Sequence, residues 1–528
     1  MKKILGASVG SDVHVAGLLN FLELAKKEGY KTVNLGAAVP ISRVIESIEK
    51  EKPTIVALSY RLGAVALSNL LNEFLKEIEK IDVGDNVVFI FGGTAETSEI
   101  AAQSGIFKKI FDGSEEEEDV VLFLRGQIKF QEKRNYPDNL PERIAFKYPY
   151  PLIRHHIGLQ TMEETREEIK KMAESELLDI ISLAPDQNCQ QYFFEPDKMH
   201  PAQDGAGGAP IRSKTDFVRL YQASRTGNYP LIRCYSGTNR IVEFSKLLKE
   251  TVNNAWAAIP LFWYSELDRR SERNLLEAII ENMEGIKWNA AHDVPVEIND
   301  AHQWELRYAH DGLAVATTYL AAYVAKKLGV RWYIQQYMMN TPPGLSPKMD
   351  VAKAIAKQEL VESLADEAFI PYRMIRTGLL SFPADPDSAR GQLAASMFYA
   401  SYLKPHIIHV VSYCEAMRRA TSKEIFESIK LVRRVHSMAA KGLPDFKCDP
   451  EIRGRVDYLK NEAWSILEKI KKLSPNIDDP LTDPQTLYMA VKTGILDAVG
   501  LQGNSVAKGK IKLKYINGAY DSLEDDTR

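Results

Sequence analysis

The sequence predicts an α/β protein in two parts: a doubly wound parallel sheet over residues 1–126 and a (β/α)8 barrel over residues 176–430. Three observations carry this expectation. Near the N-terminus, short and continuously apolar runs alternate with segments of helical period, the pattern of a parallel sheet covered by helices on both faces. Beyond residue 176 a second array of this kind extends over ~250 residues, the length an eightfold barrel needs. At 528 residues the chain is also too long for one compact unit.

In the first part, strands are expected at residues 4–9, 32–35, 54–58 and 86–91, the last ended by Gly92-Gly93. Between the first two, residues 14–27 place Val15, Leu18, Leu19, Leu22 and Leu24 at helical spacing. Further helices are expected at 41–50 and 67–81, and the acidic run 115–119 reads as a solvated helix start. Residues 127–175 form a charged linker rich in Pro and Tyr, closing in a polar helical bridge.

In the second part, strands are expected at 179–183, 230–235, 258–263, 332–335 and 406–411, with long helices between them. A doubly wound open sheet is the alternative to a barrel for this array. Residues 431–528 are expected to hold C-terminal helices and a terminal strand pair, 509–515 with 518 onward. No internal repeat is present.

Composition narrows the function classes. The chain is 45% hydrophobic and 26% charged, ordinary usage for a soluble globular protein. Lys+Arg 67 against Asp+Glu 71 gives a net charge of −4, which argues against nucleic acid as the main partner. No run reaches the ~18 apolar residues of a membrane span. The first residues carry two lysines and a short apolar stretch, then Ser8, Gly10, Ser11 and Asp12, unlike a secretory signal. Cys189, Cys234, Cys414 and Cys448 form no C-x-x-C pair, so the expectation is a cytoplasmic protein with four reduced thiols, buried as small hydrophobes. The expected partners are a small-molecule substrate and a second copy of the chain in a homodimer, with no nucleic acid and no membrane.

The loop after the first strand reads Gly10-Ser11-Asp12-Val13-His14-Val15-Ala16-Gly17. It stands at the edge where open parallel sheets bind ligands. A carboxylate two residues from an imidazole can hold one ring nitrogen, leaving the other outward as a neutral metal ligand. Read alone, the pattern also fits a helix-capping Asp with an exposed His. Ser59 ends the third strand and Gly92-Gly93 the fourth, so all three features fall on one sheet edge. Glycines there let a bulky ligand touch backbone.

Together these residues resemble the flavodoxin-like cobalamin-binding domain of B12-dependent mutases and methionine synthase, over residues 1 to about 126. The wording 10–14 and Val33-Asn34-Leu35-Gly36 is most similar to the small subunit of glutamate mutase. The resemblance implies that His14 is the lower axial ligand of cobalt, oriented by Asp12. It implies that Ser11, Val15, Gly17, Ser59, Gly92 and Gly93 line the nucleotide tail, and that the cofactor is adenosylcobalamin. One departure is Arg61, where the family often has Leu.

Residues 176 to 520 resemble, in patches, the large TIM-type barrel subunit of glutamate mutase: Gly205-Ala206-Gly207-Gly208, the strand 230–235, and 508–519. In that family the barrel mouth holds adenosine and substrate against the corrinoid. Gly205, Gly207, Arg233 and Arg240 are the residues this implies for the chamber, Arg233 and Arg240 as catalytic candidates together with Glu297. Two family arginines are missing: Gln203 stands for one, and Phe262-Trp263-Tyr264-Ser265-Glu266 replaces the segment of another. A desolvated carboxylate needs such partners, so the expected substrate is not glutamate but one less charged or cationic, with Glu266, Asp293, Glu297 and Asp300 as its possible partners.

His292, His302 and His310 are spaced so that no helical face unites them, and no second metal is expected there. Asn340, Thr341, Tyr413 and Glu415 follow strand ends, as substrate or cofactor contacts or as structural rim. Aminomutases with this domain place a pyridoxal-binding lysine where Ala25 stands here, so pyridoxal phosphate is not expected. The leading function is an adenosylcobalamin-dependent isomerase of the carbon-skeleton mutase type. The alternatives are a methylcobalamin-dependent methyltransferase, disfavoured because no helical cap precedes the first strand, and a B12-binding sensor or carrier without catalysis.

Overall fold

The computed structural model describes residues 2–84, 87–113, 115, 117–126 and 136–523, and the chain divides into two compact units, residues 1–135 and 136–528. Glu116 of the acidic run, and the linker residues 127–135, lie outside the described residues.

The first unit alternates β1 (Lys3–Ser8), α1 (Ala16–Lys27), β2 (Lys31–Asn34), α2 (Ile41–Glu51), β3 (Ile55–Tyr60), α3 (Ala64–Ile78), β4 (Val88–Gly93), α4 (Ala95–Gln103), β5 (Lys109–Phe111) and α5 (Glu117–Leu124). The five strands are parallel, in the order β2-β1-β3-β4-β5. Both sheet faces are buried: Leu5, Ala7 and Val56 join one core with Val44, Leu71 and Phe74, while Ile4, Ala57 and Ile90 join the other with Leu18, Leu22 and Leu124. That is why these strands read as unbroken apolar runs. The order reverses between β1 and β3, whose C-terminal ends stand side by side with Ser8 opposite Ser59. Ligands bind at such a switch point.

The second unit begins with α6 (Leu140–Lys147), β6 (Leu152–Ile157), α7 (Met162–Glu174), β7 (Ile180–Leu183), α8 (Gln187–Tyr192), α9 (Lys214–Ala223), β8 (Leu231–Cys234) and α10 (Ile241–Val252). It continues through β9 (Ala257–Ala258), α11 (Leu275–Ala291), β10 (Val296–Glu297), α12 (Asp300–Glu305), α13 (Asp311–Lys327), β11 (Trp332–Met339), α14 (Pro347–Glu362), β12 (Ile370–Thr377), α15 (Pro386–Ala400) and β13 (Ile407–His409). These eight parallel strands follow one another around a nearly closed barrel; β13 pairs with β6, and a bridge between Tyr235 and Ala258 joins β8 to β9. The open-sheet alternative is not what forms. Then come α16 (Ser422–Ala440), α17 (Pro450–Lys471) and α18 (Pro484–Thr493), and an antiparallel hairpin, β14 (Leu513–Ile516) with β15 (Ala519–Ser522).

Three barrel strands, β6, β10 and β12, fall where no strand was expected, and the strand expected at 258–263 forms only as Ala257–Ala258 before the chain turns into a loop. β6 and α7 lie inside the stretch assigned to the linker and bridge, so the barrel starts before residue 176. The β6 sequence Leu-Ile-Arg-His-His-Ile carries charge into the interior, which hides it from a search for apolar runs. β10 is two residues long, and β12 carries Arg373 and Arg376. Cys448 is exposed rather than buried; the other three thiols are buried. Among the described residues no helix is long and apolar enough to cross a membrane.

The barrel interior is apolar at its N-terminal end, where Leu152, Ile180, Leu231, Trp256, Ile334, Met374 and Ile407 form one cluster. Outside, α17 packs on α13 and α14 around a buried charge network. Glu305 accepts from Lys357 at 2.7 Å and meets Lys353 at 2.9 Å, and Lys353 also stands 3.4 Å from Asp311, which pairs with Arg455 at 2.8 Å. A buried ion pair gains little over a well-packed apolar replacement, but removing one partner strands the other charge. All six tryptophans, including Trp256, Trp304 and Trp464, lie in this unit. Glu305→Ala is therefore expected to lower the stability of the barrel unit by about 3–5 kcal/mol, read by urea unfolding of tryptophan fluorescence. The double change Glu305→Leu with Lys357→Met is expected to cost less than the single one.

Candidate functional site

Each unit carries a candidate site at the C-terminal ends of its strands. In the first unit the chain leaves β1 through Gly10, whose φ of +68° lies in the left-handed region that favours glycine. This turn brings Asp12 inward to complete burial. Its Oδ1 accepts from the His14 backbone N–H at 2.9 Å and faces His14 Nδ1 at 2.7 Å, while Oδ2 accepts from the Arg61 backbone N–H at 2.6 Å. The loops after β1 and β3 are thus tied through one carboxylate. A carboxylate accepts, so His14 Nδ1 carries the proton and Nε2 is left with its lone pair. The His14 side chain is 55% exposed, which leaves that nitrogen open to a ligand.

Around it, Ser59 and Tyr60 stand opposite Gly92 and Gly93 across β3 and β4. A Cβ built on Gly17 or Gly92 would meet nothing within 4 Å, whereas at Gly93 it would strike Thr97 and the Tyr60 carbonyl. Gly93 is therefore required by packing, and Gly17 and Gly92 border open space. Exposed Ser11 opens the loop and Val15 caps α1 without a side-chain hydrogen bond. Val13 at 65% and Val65 at 78% exposure, with Leu62, give this edge an apolar rim. Arg61 takes part through its backbone, so the departure noted at this position leaves the carboxylate contact intact.

In the second unit the barrel interior turns from apolar to charged toward the C-terminal ends of the strands, where barrel enzymes carry their active sites. Arg154 donates to Ser182 at 2.7 Å and lies 3.1 Å from His409 Nδ1. Arg233 meets Glu297 at 3.5 Å and lies over the Tyr235 ring, and Glu297 accepts from Trp256 at 2.8 Å. Burial, then Arg233, press the Arg154 guanidinium down to about 9. Burial likewise lowers Arg376 and, with Arg376 beside it, holds His302 well below its ordinary value. Nε and Nη1 of Arg233 and Nε of Arg376 are buried without a hydrogen-bond partner. Buried donors of this kind are costly unless something accepts from them.

The expected residues divide. Arg233 and Glu297 are brought together inside the barrel. Arg240 is not: it caps α10 in the left-handed region, is 45% exposed, and pairs with Glu243 while covering Phe194. Gly205 is held by loop packing, since a Cβ would meet the Gln160 carbonyl at 2.7 Å, and Gly207 borders open space. Glu266 and Asp300 cap backbone N–H groups of Leu275 and Phe262, and Asp293 is exposed beyond α11. Of the carboxylates offered for a cationic substrate, Glu297 faces the interior, already beside Arg233. Asn340 bonds to Asp350 and Tyr399, and Tyr413 to Glu427. His292 stacks on Trp288, His302 bonds Gln336, and His310 caps α13, so the three do not meet. Arg154, Arg376 and His409 were missed; the available signal was the alternation Leu152, Arg154, His156 against Ile153 and Ile157.

A model of the B12-binding domain family matches residues 2–121. The trimethylamine corrinoid protein of Methanosarcina barkeri is 31% identical over 98 residues, 19% of this chain and 41% of that protein. The chain thus spans less than half the length of this curated relative. A cobalamin-binding protein from Desulfitobacterium hafniense matches 21% of this chain and 52% of its own, at 24% identity and a TM-score of 0.19. A truncated 3-deoxy-D-arabino-heptulosonate 7-phosphate synthase from Thermotoga maritima matches 56% of this chain and 87% of its own, at 10% identity and a TM-score of 0.32. The N-terminal unit is a B12-binding domain. The open Nε2 of His14 and the clear space at Gly17 and Gly92 fit a corrinoid.

Asp12→Ala is expected to leave the Arg61 amide and the His14 ring without their acceptor and to cost about 1.5–3 kcal/mol, the worth of a charged hydrogen bond. Hydrogen exchange at the Arg61 amide and the thermal midpoint of the N-terminal unit check this.

Proposed function

We propose, starting from a B12-binding domain joined to a barrel in one chain, that this protein is an adenosylcobalamin-dependent isomerase acting on a small anionic substrate. The observation that carries the reading is the Asp12–His14 pair, with Nδ1 held at 2.7 Å and Nε2 open. When bound, adenosylcobalamin supplies radical chemistry by homolysis of its cobalt–carbon bond. His14 Nε2 would hold the cobalt, and Asp12 would fix the ring's tautomer and direction. Gly17, Ser59 and Gly92 would leave passage for the tail.

In the barrel, the unpartnered N–H groups of Arg233 and Arg376 would donate to the oxygens of a carboxylate or phosphate. They reverse the substrate charge expected from the missing family arginines: those positions are lost, but Arg154 and Arg376 bring positive charge from β6 and β12. Glutamate itself is disfavoured, because Gln203 and the segment 262–266 stand where its partners would be. The barrel wall would keep water from reactive species.

A second reading, a methyl carrier, is favoured by the similarity to the trimethylamine corrinoid protein. The two separate on one experiment. The full chain is incubated with adenosylcobalamin and small carboxylic or phosphorylated acids, and paramagnetic resonance is recorded. A substrate-dependent radical coupled to Co(II) is expected. Cofactor binding without a radical under any acid, together with turnover of methylcobalamin, would favour the carrier. His14→Gly is expected to abolish the nitrogen hyperfine splitting of the bound Co(II) corrinoid. Arg233→Met is expected to weaken binding of the active acid about 10–100-fold, the loss of one charged hydrogen bond, measured as KM.

A further inference from the structure

At the mouth of the barrel, His155 and His156 at the end of β6 converge with Glu415, which lies just beyond β13. His155 Nε2 is 3.1 Å from Glu415 Oε1, and His156 Nε2 is 3.1 Å from Glu415 Oε2. The three ligand atoms lie within 4.8 Å of one another. His155 is fully enclosed and Glu415 nearly so, while His156 keeps 28% exposure. The β6–β13 pairing, His409 opposite Arg154, brings the two strand ends together.

The hydrogen bonds around His155 set its tautomer. Its Nδ1 stands 2.6 Å from the His156 carbonyl oxygen, which can only accept, so Nδ1 carries the proton. Nε2 then points at a carboxylate oxygen, and a proton or a metal cation between the two satisfies both. Ser412 supports the carboxylate from behind, its backbone N–H donating to Glu415 Oε1 at 2.7 Å, and its hydroxyl lies 2.9 Å from His155 Nε2. His156 is held on its other nitrogen by His409 at 3.5 Å. Each imidazole nitrogen stands 3.1 Å from its own carboxylate oxygen, a spacing that neighbouring ligands of a first-row metal also take at bond lengths of about 2.1 Å.

We propose that His155, His156 and Glu415 form a binding site for a divalent transition-metal ion, built entirely from residues of the barrel unit. Two imidazoles and one carboxylate fill three positions and leave others for water or substrate oxygen, the donor set of zinc and non-haem iron sites. The ion would add positive charge to an interior that already holds Arg154, Arg233 and Arg376, so an anionic oxygen is the next ligand it would take. This goes beyond the isomerase reading and does not depend on it, because the test needs neither corrinoid nor substrate.

The full chain, free of corrinoid, is dialysed against zinc at micromolar free concentration, and bound zinc is counted by elemental mass spectrometry. One zinc per chain is expected. Glu415→Gln and His156→Gln are expected to weaken binding at least about 100-fold, more than the loss of an outer-shell partner, with the tryptophan fluorescence of the barrel unit unchanged. His14→Gly, which removes the exposed imidazole of the other unit, is expected to keep the zinc. If Glu415→Gln does not fold, His156→Gln decides, since that side chain is partly exposed. Absence of stoichiometric zinc in the parent chain, or zinc held with parental affinity in the folded His156→Gln variant, overturns the proposal.

Discussion

Asp12 is a carboxylate with no exposure, and protein N–H groups answer its charge. That constraint organises the functional edge of the first unit. One oxygen fixes the backbone and the ring of His14; the other fixes the first residue after β3. Two loops that diverge at the switch point of the sheet are thereby held as one surface. The imidazole is presented outward in a single tautomer, without relying on packing to hold an exposed ring. Glycines at 17 and 92 leave the adjoining crevice clear.

The barrel is built on a different balance. Its N-terminal end is filled by apolar side chains, which gives the closed floor that stabilises the fold. Toward the other end the same strands carry Arg154, Arg233, Arg376, His156 and His409. Such residues oppose folding unless paired, and the pairing is incomplete: Glu297 and Glu415 answer part of the charge, while guanidinium N–H groups stay unsatisfied. Burial pushes the Glu415 carboxyl up, but His156 and His155 outweigh it and hold the group well below its usual range. Keeping this much positive charge buried and incompletely paired costs stability.

Much of the first unit was legible because its strands are covered on both faces and its chemistry is local. Asp12 and His14 are two residues apart, and Ser59 and Gly92 end consecutive apolar strands. The barrel was legible in class but not in register. Strands such as Leu152–Ile157 and Ile370–Thr377 carry arginines and histidines into the interior and so lack an apolar run. β9 and β10 are two residues long, too short for any periodicity. Arg240 was named through the resemblance to the large barrel subunit, yet its left-handed backbone turns it out onto Phe194 and Glu243.

By itself the sequence determined what short-range pattern can encode: two α/β units, the parallel order implied by alternation, and the loop that presents His14 from a buried neighbour. Only the tertiary structure decided which distant residues share a space. Glu415 meets His155 and His156 across more than half the barrel unit's length of chain because β13 closes beside β6. Arg154, Arg233 and Arg376 face one another for the same reason. Barrel closure joins the first strand to the last, and no local propensity records that pairing.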